Sequence, residues 1–276
     1  MLTTTVDGLW VLQVLTGIEV VAPELGLRPH LPSVEPKRLA LQHPITADLR
    51  AAGVLGESDA VDSTVVEWLT VLSRRDIALL AHIRTPDEDP ARVLLARFAQ
   101  WWVVMERSED LVRISGAGTA TAEGSASAVL TAQIDRLCGA NAPSSVRPVT
   151  LDADAMRAAS SSQGALAKFL GDQGLEADQL RALLLAADPS RSAQASIVAI
   201  QCGVQTGRSR RTHIEDTAVA IIDTTEGRLV AENVHSGGKK WLIVAPGSQG
   251  NIASAIHRMV RRLPADQEWY SYRRVV

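Results

Sequence analysis

One plan occurs twice in this chain: a run of strands joined by tight turns and closed by an amphipathic helix. The second copy begins near residue 191, where alternation along SAQASIVAIQCGV places Val198, Ile200 and Cys202 on one face. Alternation at period two is typical of a half-buried strand. Short Gly-containing turns then separate three further strands, TAVAIIDT, GRLVAENV and KKWLIVAP. Because turns of hairpin length join antiparallel neighbours, this segment predicts an antiparallel meander.

A predicted helix closes each meander. In NIASAIHRMVRRL the apolar residues recur at helical spacing, and Pro264 marks the end of the helix. Residues 77–137 repeat the plan, with strands in IALLAHIR, ARVLLARFAQWWVVMER and DLVRISGAG before a helix in TAEGSASAVLTAQIDRL. Further predicted helices precede each meander, within residues 44–75 in the first copy and 152–187 in the second.

The repeat predicts an α+β fold with a central antiparallel β-sheet, two helical bundles and two halves related by a pseudo-two-fold axis. The N-terminal half comprises residues 1–140 and the C-terminal half comprises residues 149–276. Residues 141–148, with two prolines and two serines, are the predicted linker between them. Residues 6–21 are predicted to form a strand, bent at Gly17.

Composition excludes several classes of protein. A chain of 276 residues with 46% apolar content buries a substantial core. The net charge of −3 and the dispersed basic residues argue against a nucleic-acid-binding protein, and the arginines of GRSRR, Arg208, Arg210 and Arg211, read as a solvated turn. Polar residues interrupt the apolar run near the N-terminus, so no membrane insertion is predicted. Cys138 and Cys202 lie far apart in sequence, which favours a reduced, cytoplasmic protein.

No catalytic, cofactor or metal site is predicted. Gly116 and Gly118 precede a helix, but Thr121 stands where a dinucleotide-binding fingerprint needs glycine, and the flanking strands are joined by hairpins. The histidines never pair at metal-ligand spacing, and neither cysteine has a local nucleophile motif. The lack of these motifs argues against an enzyme without excluding one. Because residues scattered in sequence also assemble sites, a small-molecule-binding or enzymatic α+β domain is the alternative.

Several segments of the chain carry a resemblance to a known family, among them DGLWVLQVLTGIEVVAPELGLRPHLPSVEP, ARFAQWWVVMERSEDLVRISGAGTATAEGSA and SGGKKWLIVAPG. They strongly resemble the EspG family of ESX (type VII) secretion-associated proteins of mycobacteria, closest to the paralogue of the iron-acquisition-linked ESX system. The resemblance implies the α+β fold described above and a cytosolic specificity chaperone without cofactor or catalysis. It also implies binding of PE–PPE heterodimers through the apolar tip of the PPE helical bundle, which docks on the central sheet and the C-terminal helical bundle.

The family supplies no short binding motif, so candidate partner-binding residues come from chemistry. The sheet face opposite the helices is expected to accept the helical tip, and Phe169 and Leu170 of the second bundle are added, with core packing as their alternative. The acidic TPDEDP loop is expected to select partners by charge and length. Self-association through the same face is a further hypothesis, motivated by Trp101. The sheet residues are Arg97, Ala99, Trp101, Ala199 and Gln201.

The C-terminal segment after Pro264 contains an aromatic cluster. Trp269, Tyr270 and Tyr272 either pack on the body of the protein or remain mobile. The sequence does not decide between these two outcomes.

Overall fold

One antiparallel sheet of eleven strands runs through the part of the chain that the computed structural model describes, residues 1–29, 36–203 and 212–271. The three arginines of GRSRR and Tyr272 lie outside these ranges. The strands are β1 Leu2–Thr5, β2 Ile77–Arg84, β3 Ala91–Phe98, β4 Trp101–Ser108, β5 Leu111–Thr119, β6 Val149–Asp152, β7 Ala193–Cys202, β8 Thr212–Ile214, β9 Val219–Thr224, β10 Gly227–Ser236 and β11 Lys239–Pro246.

The strand order has internal symmetry. It reads β1-β5-β4-β3-β2-β7-β9-β10-β11-β6, with β8 paired to the outer end of β7. The central pair, β2 and β7, is antiparallel, with Leu80 opposite Val198. Outward from this pair each half runs through its meander and ends on the half's own first strand, β1 or β6. The order confirms the predicted pseudo-two-fold relation, with the axis between β2 and β7.

Nine α-helices are present in the described residues, and they cover both faces of the sheet. The groups α1–α4 and α6–α8 lie on one face, called here the bundle face. Helices α5 and α9 lie side by side on the other, the closing-helix face. The helices are α1 Val6–Thr16, α2 Lys37–Leu41, α3 Ile45–Ala51, α4 Ser63–Arg74, α5 Glu123–Cys138, α6 Ala153–Ala159, α7 Gln163–Gly171, α8 Ala177–Ala187 and α9 Gln249–Arg261, with 3-10 turns at Pro23–Leu25 and Asp266–Glu268.

The prediction of a strand over residues 6–21 is wrong. The strand β1 ends at Thr5, whose hydroxyl accepts a hydrogen bond from the amide of Gly8 at 3.2 Å and begins α1. Gly17, in the left-handed region at φ 72°, ends the helix. Helix α1 packs against the sheet, α2 and α3, so its sides are largely apolar and it lacks the polar stripe that marks a helix in sequence. None of the described helices combines the length and apolar character needed to cross a membrane.

The segment ARVLLARFAQWWVVMER forms two strands rather than one. Ala99 adopts φ 54°, and the chain reverses through Ala99 and Gln100. Arg97 consequently pairs with Trp102, and Phe98 pairs with Trp101. Since paired residues share a face, Trp101 lies on the bundle face and Arg97 on the closing-helix face. The predicted common face for Arg97, Ala99 and Trp101 is therefore wrong, because the turn changes the register.

Candidate partner-binding site

The sheet has no face that is free of helices. Closing helices α5 and α9 cover the face that carries Arg97, Ala199 and Gln201. The sequence pattern grouped these three residues on one face, and they do lie together there. The expectation that this face is open to a partner is wrong, because each closing helix turns back over the strands that precede it.

Arg97 is an internal clamp for the C-terminal segment. Its side chain is 1% exposed. The guanidinium donates to both carboxylate oxygens of Asp76, at 3.1 and 2.7 Å, and to the backbone carbonyls of Trp269 at 2.6 Å and Ser271 at 3.1 Å. It also lies 5.8 Å from the ring centroid of Trp102. Four of its five N–H groups thus donate inside the protein, and the side chain is too buried to meet a partner.

Ala199 and Gln201 are also internal. Ala199 is fully buried beneath the closing helices. The side-chain oxygen of Gln201 accepts a hydrogen bond of 2.8 Å from the backbone amide of Ala265, just after α9. Gln201 therefore holds the same C-terminal segment as Arg97. Trp269 from that segment is buried, so this member of the aromatic cluster packs on the body of the protein.

The two candidates in the second bundle differ in exposure. Leu170 is fully buried in the apolar cluster between α6–α8 and strands β10 and β11, so its contribution is core packing. Phe169 is partly exposed at the edge of the same cluster. Of this pair, only Phe169 is accessible to a partner.

Trp101 and Ala99 lie beside an apolar cleft at the end of the first half. Trp101 is 51% exposed, and Ala99 is partly exposed in the adjacent turn. The cleft has a volume of about 710 Å³ and lies between α4 and the ends of β4 and β5. Trp68 of α4 forms part of its wall and packs over Gly116. Trp101 is not buried under a helix, because it stands beside α4 and about half of its surface is open.

The sequence patterns missed an open strip at the centre of the bundle face. Leu80, Ser196 and Val198 are half-buried there, and His82 is exposed. These residues belong to β2 and β7, which occupy the middle of the sheet between the two helical bundles. The signal was available in the alternation that places Val198 on the same face as Ile200. Sequence alone does not reveal how far apart the bundles stand.

Arg228 is a second internal clamp, at the opposite end of the sheet from Arg97. Its guanidinium donates to both carboxylate oxygens of Asp223, at 2.6 and 2.7 Å, and this hydrogen-bonded ion pair raises the pKa of Arg228. It also donates to the carbonyls of Cys138 at 2.6 Å and Gly139 at 2.9 Å, which end α5. The predicted linker is therefore anchored, and Ser144 within it donates its amide to the Arg228 carbonyl.

Glu123, the first residue of α5, contacts both α9 and the C-terminal segment. One carboxylate oxygen accepts a hydrogen bond of 2.9 Å from Arg261 and one of 3.3 Å from the indole of Trp269. His257 lies 3.7 Å away. The hydrogen bond from Arg261 is the main cause of a lowered pKa for Glu123. The cluster joins α5, α9 and the C-terminal segment, so its role is to hold elements together.

The described residues offer little for metal or nucleophile chemistry. They contain no group of three or more His, Cys, Asp and Glu side chains placed to hold a metal ion. Burial raises the pKa of Cys138 to about 11 and also raises that of Cys202, so both thiols are held in the protonated, poorly nucleophilic form. The TPDEDP segment connects β2 and β3, and its three acidic residues are exposed.

Comparisons with known proteins were made for the whole chain. Residues 5–258 match the EspG family. The ESX-2 secretion-associated protein EspG2 of Mycobacterium tuberculosis is 50% identical over 276 residues, which cover all of both chains. The ESX-3 secretion-associated protein EspG3 of Mycolicibacterium smegmatis is 27% identical over 96% of this chain and 88% of the relative.

A solved structure has the same fold. It is the Mycobacterium tuberculosis type VII secretion system chaperone EspG5 in complex with a PE25-PPE41 dimer, with a TM-score of 0.74, 21% identity and 99% coverage of both chains. Identity is higher to the ESX-2 relative, at 50%, than to the ESX-3 relative, at 27%. The family match and the full-length similarity establish that this chain is a member of the EspG family.

Proposed function

We propose that this protein is a cytosolic specificity chaperone of type VII (ESX) secretion. It binds the PPE subunit of a PE–PPE heterodimer, keeps the heterodimer soluble and directs it to the cognate secretion system. The observation that carries the proposal is the match to the EspG family over residues 5–258, together with the fold shared with EspG5, whose structure holds a PE25-PPE41 dimer.

The open strip on the bundle face is the surface that we propose for the PPE helical tip. The strip joins half-buried aliphatic side chains, Leu80 and Val198, to the polar Ser196 and His82. Helices α6–α8 stand beside it and present the partly exposed Phe169. An apolar helical tip that covers this strip loses its own contact with water, which removes an aggregation-prone patch. Binding of this kind is an equilibrium and needs no nucleotide.

The structure leaves three of the predicted residues accessible: Ala99, Trp101 and Phe169. Only some of them belong to the surface proposed here. Phe169 is partly exposed on α7 of the second bundle and is included in the proposed site. Ala99 and Trp101 lie across α4 from the strip, at the ends of β3 and β4. A contact between PPE and Trp101 stays a prediction, and co-expression of a Trp101→Ala variant with the cognate PE–PPE pair tests it.

The experiment is co-expression of this chain with candidate PE–PPE pairs, followed by size-exclusion chromatography with light scattering. A stable 1:1:1 complex with one cognate pair is expected. Val198→Glu places a charge in the proposed interface, and we expect at least about tenfold weaker binding because an unpaired charge is costly to bury. Leu111→Glu is the matched control, since Leu111 is also a partly exposed strand residue but lies near the outer edge of the sheet.

Each outcome addresses a different part of the proposal. If no PE–PPE pair binds, the chaperone function is wrong, and a ligand screen of the isolated chain tests the small-molecule alternative. If a pair binds equally well to wild type and to Val198→Glu, the function stands and the strip is the wrong surface. Circular dichroism of both glutamate variants shows whether each is folded before its binding is compared.

Partner choice is assigned in this proposal to the acidic loop between β2 and β3. Asp87, Glu88 and Asp89 are exposed at its tip. Charges at the rim of an interface select against partners of like charge. Replacing the three acids with their amides should leave binding of the cognate pair intact and allow pairs with an acidic surface to bind. Unchanged partner choice would contradict this assignment.

A further inference from the structure

The last strand of the first meander has an open edge. Strand β5 spans Leu111–Thr119, but β1 pairs only with residues 111–114. On that outer side, residues 115–119 have no paired strand among the described residues. All five are at least partly exposed, and Gly116 and Gly118 carry no side chain that would keep another backbone away. An unpaired edge presents backbone N–H and C=O groups that can bind an added strand.

The equivalent edge of the second half is protected. Strand β6 pairs with residues 241–244 of β11, near the middle of that strand. The remaining positions are occupied at one end by Lys239 and Lys240 and at the other end by Pro246. Lysine and proline are the residues with which proteins commonly prevent strand addition. The open segment of β5, SGAGT, contains neither, so the two related edges differ in the feature that controls pairing.

The open edge borders the apolar cleft beside Trp101. Gly116, Gly118 and Thr119 line both the edge and the cleft. Among the lining residues the only charged side chain is Glu67, which is exposed and makes no ion pair with a described residue. The surface therefore suits an extended peptide that places an apolar side chain in the cleft and a basic side chain near Glu67.

A second copy of this chain fits the same edge poorly. Two β5 edges paired antiparallel about a two-fold axis would keep the bundle faces of both sheets on the same side. Glu67 of each copy would then lie near the junction, and the cleft supplies no cation to offset two carboxylates. Like charges placed together at an interface weaken association.

We infer that residues 115–119 of β5, together with the Trp101 cleft, form a docking site for an extended peptide segment of a partner protein. The segment adds to the sheet as a further strand, inserts an aromatic or long aliphatic side chain against Trp101 and Trp68, and carries a lysine or arginine that faces Glu67. The site is separate from the central strip and does not require a PE–PPE heterodimer.

The test uses the full chain alone, so its result is independent of the proposed chaperone function. A displayed library of seven-residue peptides, with threonine alternating with variable apolar positions and a lysine at each end, is selected against the protein. The best peptide is then synthesised and titrated while hydrogen exchange is followed by NMR. We expect slower exchange of amides within residues 115–119. N-methylation of the peptide amides that face β5 should weaken binding about tenfold or more, and N-methylation of the alternate amides should have little effect.

Two variants test the cleft. Trp101→Ala should weaken peptide binding about tenfold, because exposed aromatic anchors dominate such contacts. Leu39→Ala is the matched control, because Leu39 is also about half exposed, at 52%, but lies on α2. This variant should bind the peptide as tightly as the wild type does. Glu67→Gln should reduce the salt dependence of binding.

Three results would overturn the inference. One is the failure of any selected peptide to bind more tightly than about 1 mM, a very weak affinity. Another is equal binding by wild type and Trp101→Ala, and the third is an equal effect of N-methylation at all positions. If light scattering shows a dimer that Trp101→Ala dissociates, the occupant is a second copy and not a peptide.

Discussion

Arg97 and Trp269 are joined by a hydrogen bond of 2.6 Å from the guanidinium to the backbone carbonyl, although 172 positions separate them in the chain. The same guanidinium is paired with Asp76 on its other side. Arg97 thus ties the C-terminal segment to the start of β2, where the first meander begins.

Replacement of Arg97 by alanine should lower the free energy of unfolding by about 3–5 kcal/mol, since the partly buried carboxylate of Asp76 loses its cationic partner and two carbonyls lose their donor. Arg97→Lys keeps the charge but loses the paired geometry and should fall between wild type and Arg97→Ala. The measurement is urea unfolding. The control is Arg147→Ala, because the Arg147 side chain is 81% exposed. This replacement should change the free energy of unfolding by less than about 1 kcal/mol. Similar losses for both arginines would contradict the clamp.

Two glycines near the start of α9 should respond in opposite ways to alanine. A β-carbon at Gly247 would lie 2.2 Å from Cγ of Arg228 and 2.8 Å from its backbone carbonyl carbon, so Gly247→Ala should cost about 1–3 kcal/mol. A β-carbon at Gly250 meets no atom within 4 Å, and Gly250 is helical, so Gly250→Ala should be neutral or stabilise by up to about 1 kcal/mol. The melting temperatures of both variants, compared with that of the wild type, test these two predictions. A stable Gly247→Ala protein would show that the Arg228 segment moves freely.

The pH dependence of stability should contain a contribution from Glu123. Its pKa in the folded protein is lowered, chiefly by the hydrogen bond from Arg261, below the ordinary value of 4.5. The carboxylate therefore stabilises the fold fully above about pH 4.5, and this contribution disappears as the pH falls through the folded pKa. The difference in unfolding free energy between wild type and Glu123→Gln should shrink below pH 4.5. Urea unfolding at pH 7, 5, 4 and 3 checks this, and a difference that grows on acidification would contradict it.

Cys138 should be slow to react in the folded protein. Burial raises its pKa to about 11, so at pH 8 only about one thiol in a thousand is ionised. Iodoacetamide labelling followed by mass spectrometry should show slow modification of Cys138 in buffer and rapid modification in urea. The Cys202 thiol, whose pKa is also raised by burial, provides an internal comparison. Rapid labelling of Cys138 without denaturant would contradict the assigned burial.

The sequence predicted the strands and closing helices well, because their patterns are local. Alternation in β7 and helical spacing in α9 both depend on burial of a single face, which local sequence records. For residues 6–21 the apolar pattern predicts a strand, because helix α1 is buried on several sides and lacks a polar stripe. The short strand β6 was missed, since its four residues are defined by pairing with β11 and not by a pattern of their own.

The candidate site was less predictable for a related reason. Arg97 and Gln201 were placed correctly on one face, but accessibility depends on helices α5 and α9, which arrive later in the chain. The turn at Ala99 moved Trp101 to the other face, and an alanine at positive φ leaves no signal in sequence. The strip around Val198 depends on the spacing between two helical bundles, which is a property of the assembled fold.

The two arginine clamps cross between the halves. Arg228 of the C-terminal half holds the end of α5, and Arg97 of the N-terminal half holds the segment after α9. Each half therefore supplies an arginine that holds the C-terminal end of the other half. A cut within residues 141–148 should therefore leave two fragments that remain associated, and each fragment alone should lack the partner that completes its last helix.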